Sequence, residues 1–331
     1  MRNIILDLIT SGGAALALGV CTRKLSPGPV KMQDWPMPIP ARKEMIGDFE
    51  INYIEQGSGP ALIFIHGLGA NLNVWNYNFF EFAKTHRCIA LDLPGFGNSA
   101  KKETEYSFDL FARTIVGLMD KLGIEKAAMI GNSMGGHTAA YLGIHFPERV
   151  DMLVLVDPSG TLKIPWYLKL FLLYPEFSAS LIHRLFIKRL EGQEPEKIKT
   201  TILATGKRFP ILLNLFFHDA ATHPAEDFMN FFVGHLATII SKAQFHYFLR
   251  TFSRLAKRID QTNLTPDLPR IKAPTLLIWG DDDRQVPLRF AKIFHRQTPG
   301  SKFLIISHAG HIPMIEKPDE FNCALKEFLE K

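Results

Sequence analysis

A serine between glycines in Gly131-Asn132-Ser133-Met134-Gly135, an acidic triplet Asp281-Asp282-Asp283 and the later pair His308 and His311 have the types and order that nucleophilic chemistry on a carbonyl needs. A serine hydroxyl attacks well only when an imidazole takes its proton, and a carboxylate holds that imidazole in the right tautomer. Ser133 lies where an apolar run at 126–130 gives way to a helix-forming stretch at 137–146. Strand, sharp turn and helix together describe a nucleophile elbow. The turn strains the serine backbone, so a side chain two residues before or after it would collide with its neighbours, and glycine there is a steric requirement. The pattern is common in proteins by composition alone, and the rival reading of Ser133 is an ordinary helix N-cap. Its meaning therefore rests on partners.

Those partners need elements that aim them at one place. Residues 274–279 form a short buried-strand pattern running into Gly280 and the acidic triplet, with Pro287 starting the next helix. The acids thus sit at the carboxyl end of a strand, where open α/β sheets place their sites. The apolar run 303–307 leads into His308-Ala309-Gly310-His311. A further acid, Asp157, ends the strand pattern 152–156. Near the start, the strand 61–65 ends in His66-Gly67-Leu68-Gly69, a loop able to present a backbone N–H to a developing oxyanion; the N–H of Met134 would be the second donor.

With Asp92-Leu-Pro-Gly-Phe-Gly-Asn-Ser99 and Gly310-His311, these motifs resemble the α/β-hydrolase superfamily from about residue 45 to 328, with a gap in the middle. The chain looks most like the capped serine lipases and esterases, including membrane-anchored monoacylglycerol lipases and cold-adapted bacterial lipases. That resemblance implies an α/β-hydrolase fold: a mostly parallel central sheet flanked by helices, with a helical cap inserted after the sixth core strand. It implies Ser133 as nucleophile, His311 as base, Asp283 as acid, and the backbone N–H groups of Leu68 and Met134 as oxyanion hole, with no cofactor and no metal. The family's glycine directly before the histidine selects His311 over His308, and its acid-x-x-x-Pro spacing selects Asp283 over Asp281 and Asp282. Asp157 stays an alternative, because some members carry the acid there. His66 reads as a brace of its loop, and His137 and His145 as packing or surface residues.

A serine nucleophile argues against the superfamily's haloalkane dehalogenases and epoxide hydrolases, which use aspartate. Carbon–carbon bond hydrolases of ring-cleavage pathways share the Gly-Asn-Ser-Met-Gly-Gly elbow of residues 131–136, but usually have a longer glycine-rich oxyanion loop than His66-Gly-Leu-Gly-Ala-Asn71. The reading is a carboxylic ester hydrolase acting on apolar acyl esters such as monoacylglycerols. The alternatives are a carbon–carbon bond hydrolase and a non-catalytic small-molecule receptor of the same fold.

The 331 residues suit one catalytic domain with an insertion. The expected divisions are an apolar segment 1–24, a proline-rich linker 25–43, core 44–157, helical cap 158–268 and core 269–331. A formal charge of +5 without basic stretches interleaved with aromatics excludes nucleic acid as an expected partner. Cys21, Cys88 and Cys323 suggest neither a disulfide framework nor zinc. Large apolar residues crowd 164–174, 211–217 and 228–233 of the cap. At about 0.8 kcal/mol per buried methylene, a pocket lined by them would favour longer acyl chains; otherwise they are the cap's own core. Interleaved Lys163, Lys169, Arg184, Lys188 and Arg189 suit either an anionic membrane surface or a solvated face. Residues 4–20 are mostly apolar, interrupted by Asp7, and read as a membrane anchor, a cleaved signal or an amphipathic arm. Membrane association through this segment is expected, with cytoplasmic or exported protein as alternatives.

Overall fold

The computed structural model describes residues 37–160 and 242–330, and between them positions 177, 180, 181, 183, 184, 188, 191–193, 197 and 218. The apolar runs noted above become strands: β1 (Arg42–Ile46), β2 (Phe49–Gln56), β3 (Ala61–Ile65), β4 (Arg87–Leu91), β5 (Ala127–Asn132), β6 (Val150–Val156), β7 (Thr275–Gly280) and β8 (Lys302–Ile306). They form one sheet in the order β1-β2-β4-β3-β5-β6-β7-β8. β2 pairs antiparallel with β1 and β4, and every later pairing is parallel. Parallel strands covered on both faces carry continuous apolar sequence. In β3, Leu62 and Phe64 enter one core cluster while Ile63 and Ile65 enter the other; in β7, Leu276 and Ile278 oppose Leu277 and Trp279 in the same way.

Among the described residues the α-helices are α1 (Asn76–Phe82), α2 (Phe108–Lys121), α3 (Met134–His145), α4 (Lys242–Gln261), α5 (Arg289–Gln297), α6 (Pro313–Glu316) and α7 (Pro318–Leu329). Helix α3 starts at Met134 rather than 137, because packing against β5 and β6 overrides the weak helix propensity of Gly135 and Gly136. Its small residues allow close approach: a Cβ on Gly143 would lie 2.7 Å from Leu153. Helix α5 begins two positions after Pro287, at Arg289.

Two expectations change. Arg42 and Lys43, given to the linker 25–43, pair with Tyr53 and Asn52, and Met37 is buried in the core with its N–H on Asn73 Oδ1 at 3.0 Å. A half-exposed edge strand lacks the apolar run by which the interior strands are recognised. Cys88 is free and buried, its thiol pushed up to about 12 by burial, but Cys323 is disulfide-bonded, which counting cysteines did not anticipate. The chain leaves β6 into the expected insertion, yet 1–24, 164–174, 211–217 and 228–233 lie outside the described residues. Helix α4, the insertion's last, joins the two clusters through Phe245 and Leu249 on one side and Leu255 and Ile259 on the other. Arg250 and Arg254 pair with Glu103, and Arg258 with Glu105.

Candidate active site

The elbow is built as its composition requires. Ser133 holds φ 55° and ψ −114°, a region L-residues rarely occupy. A Cβ on Gly131 would stand 2.3 Å from the carbonyl oxygen of Gly135, and one on Gly135 would stand 2.2 Å from that of Ile65. Both obstacles are backbone, so neither can swing aside. The Ser133 side chain makes no capping hydrogen bond to α3, which removes the N-cap reading. Its N–H donates to Val156 O at 2.8 Å, fixing the turn against β6.

Asp283 and His311 come together although β7 and β8 lie beyond β6 in the sheet. His311 Nδ1 and Asp283 Oδ2 are 2.7 Å apart, and both side chains are buried. The other carboxylate oxygen of Asp283 accepts the N–H groups of Gln285 and Val286 at 2.7 and 2.9 Å. These bonds point one oxygen at the imidazole. The elbow reaches the same loop: Asn132 Nδ2 donates to His311 O at 3.1 Å. A Cβ on Gly280 would be 2.0 Å from Gly310 O, so the acid loop and the histidine loop touch backbone to backbone.

The rival candidates fall elsewhere. His308 is exposed, at φ 55°, with its ring 5.3 Å from that of His218. Asp281 accepts the Ala309 N–H at 3.3 Å, and Asp282 pairs with Arg284 at 2.7 Å and His218 at 3.1 Å. Asp157 is buried beside the pair, its Oδ1 accepting the Gly280 N–H at 3.1 Å. His66 accepts the Leu93 N–H at Nε2 (3.0 Å) and donates from Nδ1 to Gly67 O (2.7 Å), which braces the loop carrying Leu68. Desolvation lowers its pKa, partly countered by Asp92. His137 is buried flat against Phe108, and burial pushes it down to about 3, so it is a neutral packing group. Leu68 follows β3 and Met134 opens α3, where the first-turn N–H groups have no intrahelical acceptor. Phe248 of α4 approaches Gly69 in the same loop to 3.3 Å of where a Cβ would be.

Two residues that support the site had no role assigned from the sequence. Glu316, directly after the apolar stretch 312–315, is buried and accepts the N–H groups of Gly310 at 2.7 Å and His218 at 2.8 Å; burial raises its carboxyl to about 7. Asp92 knits its loop by accepting from Leu72 N, Asn52 Nδ2 and Asn98 N at 2.8 to 2.9 Å. Among the described residues, Asp157, Asp283 and His311 are the group whose ligand atoms lie within 4.8 Å of one another. The acid–histidine hydrogen bond accounts for Asp283 and His311 lying together and already occupies Nδ1.

A sequence profile described as "alpha/beta hydrolase fold" matches residues 60–318. The chain is 32% identical over 298 residues to the 2-hydroxy-6-oxo-6-phenylhexa-2,4-dienoate hydrolase of Comamonas testosteroni, covering 86% of this chain and 93% of that one. It is equally 32% identical, over 86% and 92% of the two chains, to that organism's 2-hydroxy-6-oxononadienedioate/2-hydroxy-6-oxononatrienedioate hydrolase. Among solved structures, a membrane phospholipase A described as a bacterial virulence factor superposes with TM-score 0.67 at 28% identity, over 88% of this chain and 86% of that one.

Proposed function

This chain belongs to the α/β-hydrolase fold family, and on that premise we propose that it is a serine hydrolase cleaving carboxylic esters of apolar acyl groups through an acyl-enzyme. The observation that carries the reading is the buried 2.7 Å contact of His311 with Asp283 on a loop bonded to the elbow of Ser133. Ser133 attacks the carbonyl while His311 takes its proton; Asp283 fixes the imidazole and stabilises its charged form. The N–H groups of Leu68 and Met134 receive the oxyanion; its collapse breaks the ester bond and expels the alcohol, which takes the proton from His311, and water deprotonated by the same imidazole then releases the acyl group as the acid. Phospholipase A chemistry in a 28% identical structure supports an ester, as do Phe248 and Phe252 beside Gly69 of the oxyanion loop.

A second reading, carbon–carbon bond hydrolysis of a dienoate, is favoured by the curated relatives, which stand closer in sequence than the phospholipase. It uses the same nucleophile and base. The carbon leaving group must then be protonated, and the substrate's carboxylate needs a cation or donor in the pocket. Wild type and Ser133→Ala should be given p-nitrophenyl esters of rising chain length, a monoacylglycerol and 2-hydroxy-6-oxo-6-phenylhexa-2,4-dienoate. Ester turnover that rises with chain length and vanishes in Ser133→Ala supports the first reading. Turnover of the dienoate alone replaces it with the second.

The apolar run at 4–20 and the membrane origin of the phospholipase support placing the enzyme at a membrane surface through its first 24 residues. Among the described residues no helix is long and apolar enough to cross a membrane. Deleting residues 1–36, which spares the buried Met37, should leave activity on short esters and abolish sedimentation with membranes. Unchanged sedimentation would refute this placement.

A further inference from the structure

Asp157 is a second acid in the site, and the triad reading leaves it without a task. It directly follows β6, which lies between β5 and β7 with Val156 level with Asn132 on one side and Ile278 on the other. Parallel pairing therefore sets it between the nucleophile's strand and the acid's strand. Its side chain is fully buried, and its backbone holds φ 45°. One carboxyl oxygen accepts the Gly280 N–H, but Oδ2, equally buried, meets no donor. An unsatisfied buried oxygen is costly, and an unsatisfied buried charge more so.

The groups facing Asp157 are Asp283, His311 and Glu316. Carboxyl oxygens of Asp157 and Asp283 lie within 4.8 Å of each other and of the imidazole nitrogen. Two carboxylates this close, away from water, do not both ionise. The competition between them is uneven. Asp283 has two backbone N–H donors and the imidazole, whereas Asp157 has one N–H. The charge settles on Asp283 and the proton on Asp157.

Resting on the triad reading above, we infer that Asp157 is a positioning residue: protonated, it donates a hydrogen bond from Oδ2 to the Asp283 carboxylate and so holds Asp283 on His311. The proton satisfies the orphaned oxygen and leaves one negative charge opposite the imidazolium that forms during attack. Burial and the neighbouring Asp283 charge push the Asp157 carboxyl well above the usual carboxylate range, in agreement with this state. A doubly ionised pair would instead set two negative charges against the imidazole, and neutralising one of them by substitution would move the acid limb of the reaction's pH profile.

Two substitutions separate the donor from the charge. Asp157→Asn keeps a donor toward Asp283 and tolerates positive φ; Asp157→Gly removes the side chain and adopts that φ freely. The readout is the rate at which the full chain is labelled on Ser133 by a fluorophosphonate, followed against pH, since this needs no knowledge of the natural substrate. Asp157→Asn should label within about fivefold of wild type, with its acid limb moved by less than about 0.3 pH units. Asp157→Gly should label at least about tenfold more slowly. A larger loss in the Asn variant, an acid limb moved further, or a Gly variant within about tenfold of wild type would each overturn the inference. If the Gly variant does not fold, the rate and limb of the Asn variant decide. Wild type that is not labelled at all overturns the nucleophile assignment itself, an outcome distinct from altered behaviour of the variants alone.

Discussion

Two buried groups should give the folded protein opposite pH slopes over the same interval, and removing either should unmask the other. His137 lies with its ring 3.5 Å from that of Phe108, and burial pushes it from 6.5 down to about 3. The unfolded chain takes up this proton near 6.5, whereas the folded protein stays neutral to far lower pH. Stability from His137 is therefore present above about 6.5 and lost as pH falls, at roughly 1.4 kcal/mol per unit. Glu316 has the other sign. Burial raises its carboxyl from 4.5 to about 7, so the protonated acid stabilises the fold below about 4.5 and that contribution is lost as pH rises through about 7. Between about pH 4.5 and 6.5 each slope amounts to about 2–3 kcal/mol, and in wild type they nearly cancel. His137→Phe keeps an aromatic stack and leaves the Glu316 slope alone, so this variant should gain about 2–3 kcal/mol relative to wild type on going down that interval. Glu316→Gln should lose a similar amount. Urea unfolding at about pH 6.5, 5.5 and 4.5, compared at constant m, reads both effects. Three parallel profiles, agreeing to within about 0.5 kcal/mol, would refute the reasoning.

Asp283→Asn should lower kcat by about three to four orders of magnitude with folding intact, because two backbone N–H bonds remain on its other oxygen while the imidazole loses its acceptor. Asp281→Asn, which touches only the Ala309 N–H, should stay within about tenfold in the same ester assay; a reversed order would move the acid assignment. Gly135→Ala drives a methyl to 2.2 Å from the Ile65 carbonyl and should destabilise by about 1–3 kcal/mol or more while depressing labelling of Ser133. A melting temperature and labelling rate equal to wild type would show that the elbow tolerates the side chain.

The parts of the fold that the sequence discloses best are those where one physical demand dominates. Strands β3, β5, β6 and β7 are buried on both faces and stand out as apolar runs, and the elbow glycines are forced because a Cβ on Gly131 or Gly135 would stand 2.3 or 2.2 Å from a backbone carbonyl oxygen. β1 escapes notice because an edge strand of alternating exposure carries no such run. The start of α3 is misplaced because local propensity reads Gly135-Gly136 as turn while the sheet makes it helix. Glu316 is silent in sequence, since its role depends on two backbone N–H groups that only the tertiary fold brings to it. Asp157 is intermediate: its place at a strand end is legible, whereas its nearness to Asp283 depends on how the β6 and β7 loops fold back.

The order of the strands explains why the candidate site assembles where it does. Adjacent parallel strands β3, β5, β6 and β7 each deliver one component from the carboxyl end: the loop with Leu68, then Ser133, then Asp157, then Asp283. Parallel neighbours lie about 5 Å apart, so components one strand apart meet directly and those two strands apart need a bridge. Ser133 and Asp283 are two strands apart. His311, arriving from beyond β8, supplies the bridge, with its carbonyl on Asn132 and its Nδ1 on Asp283. β6 lies between them, and the residue directly after it, Asp157, comes within 4.8 Å of Asp283 and His311. An apolar residue there would leave the Gly280 N–H without its acceptor, while an ionised one would double the charge facing His311. A carboxylic acid that keeps its proton satisfies both demands, and this is the role proposed for Asp157, directly after the strand between those of Ser133 and Asp283.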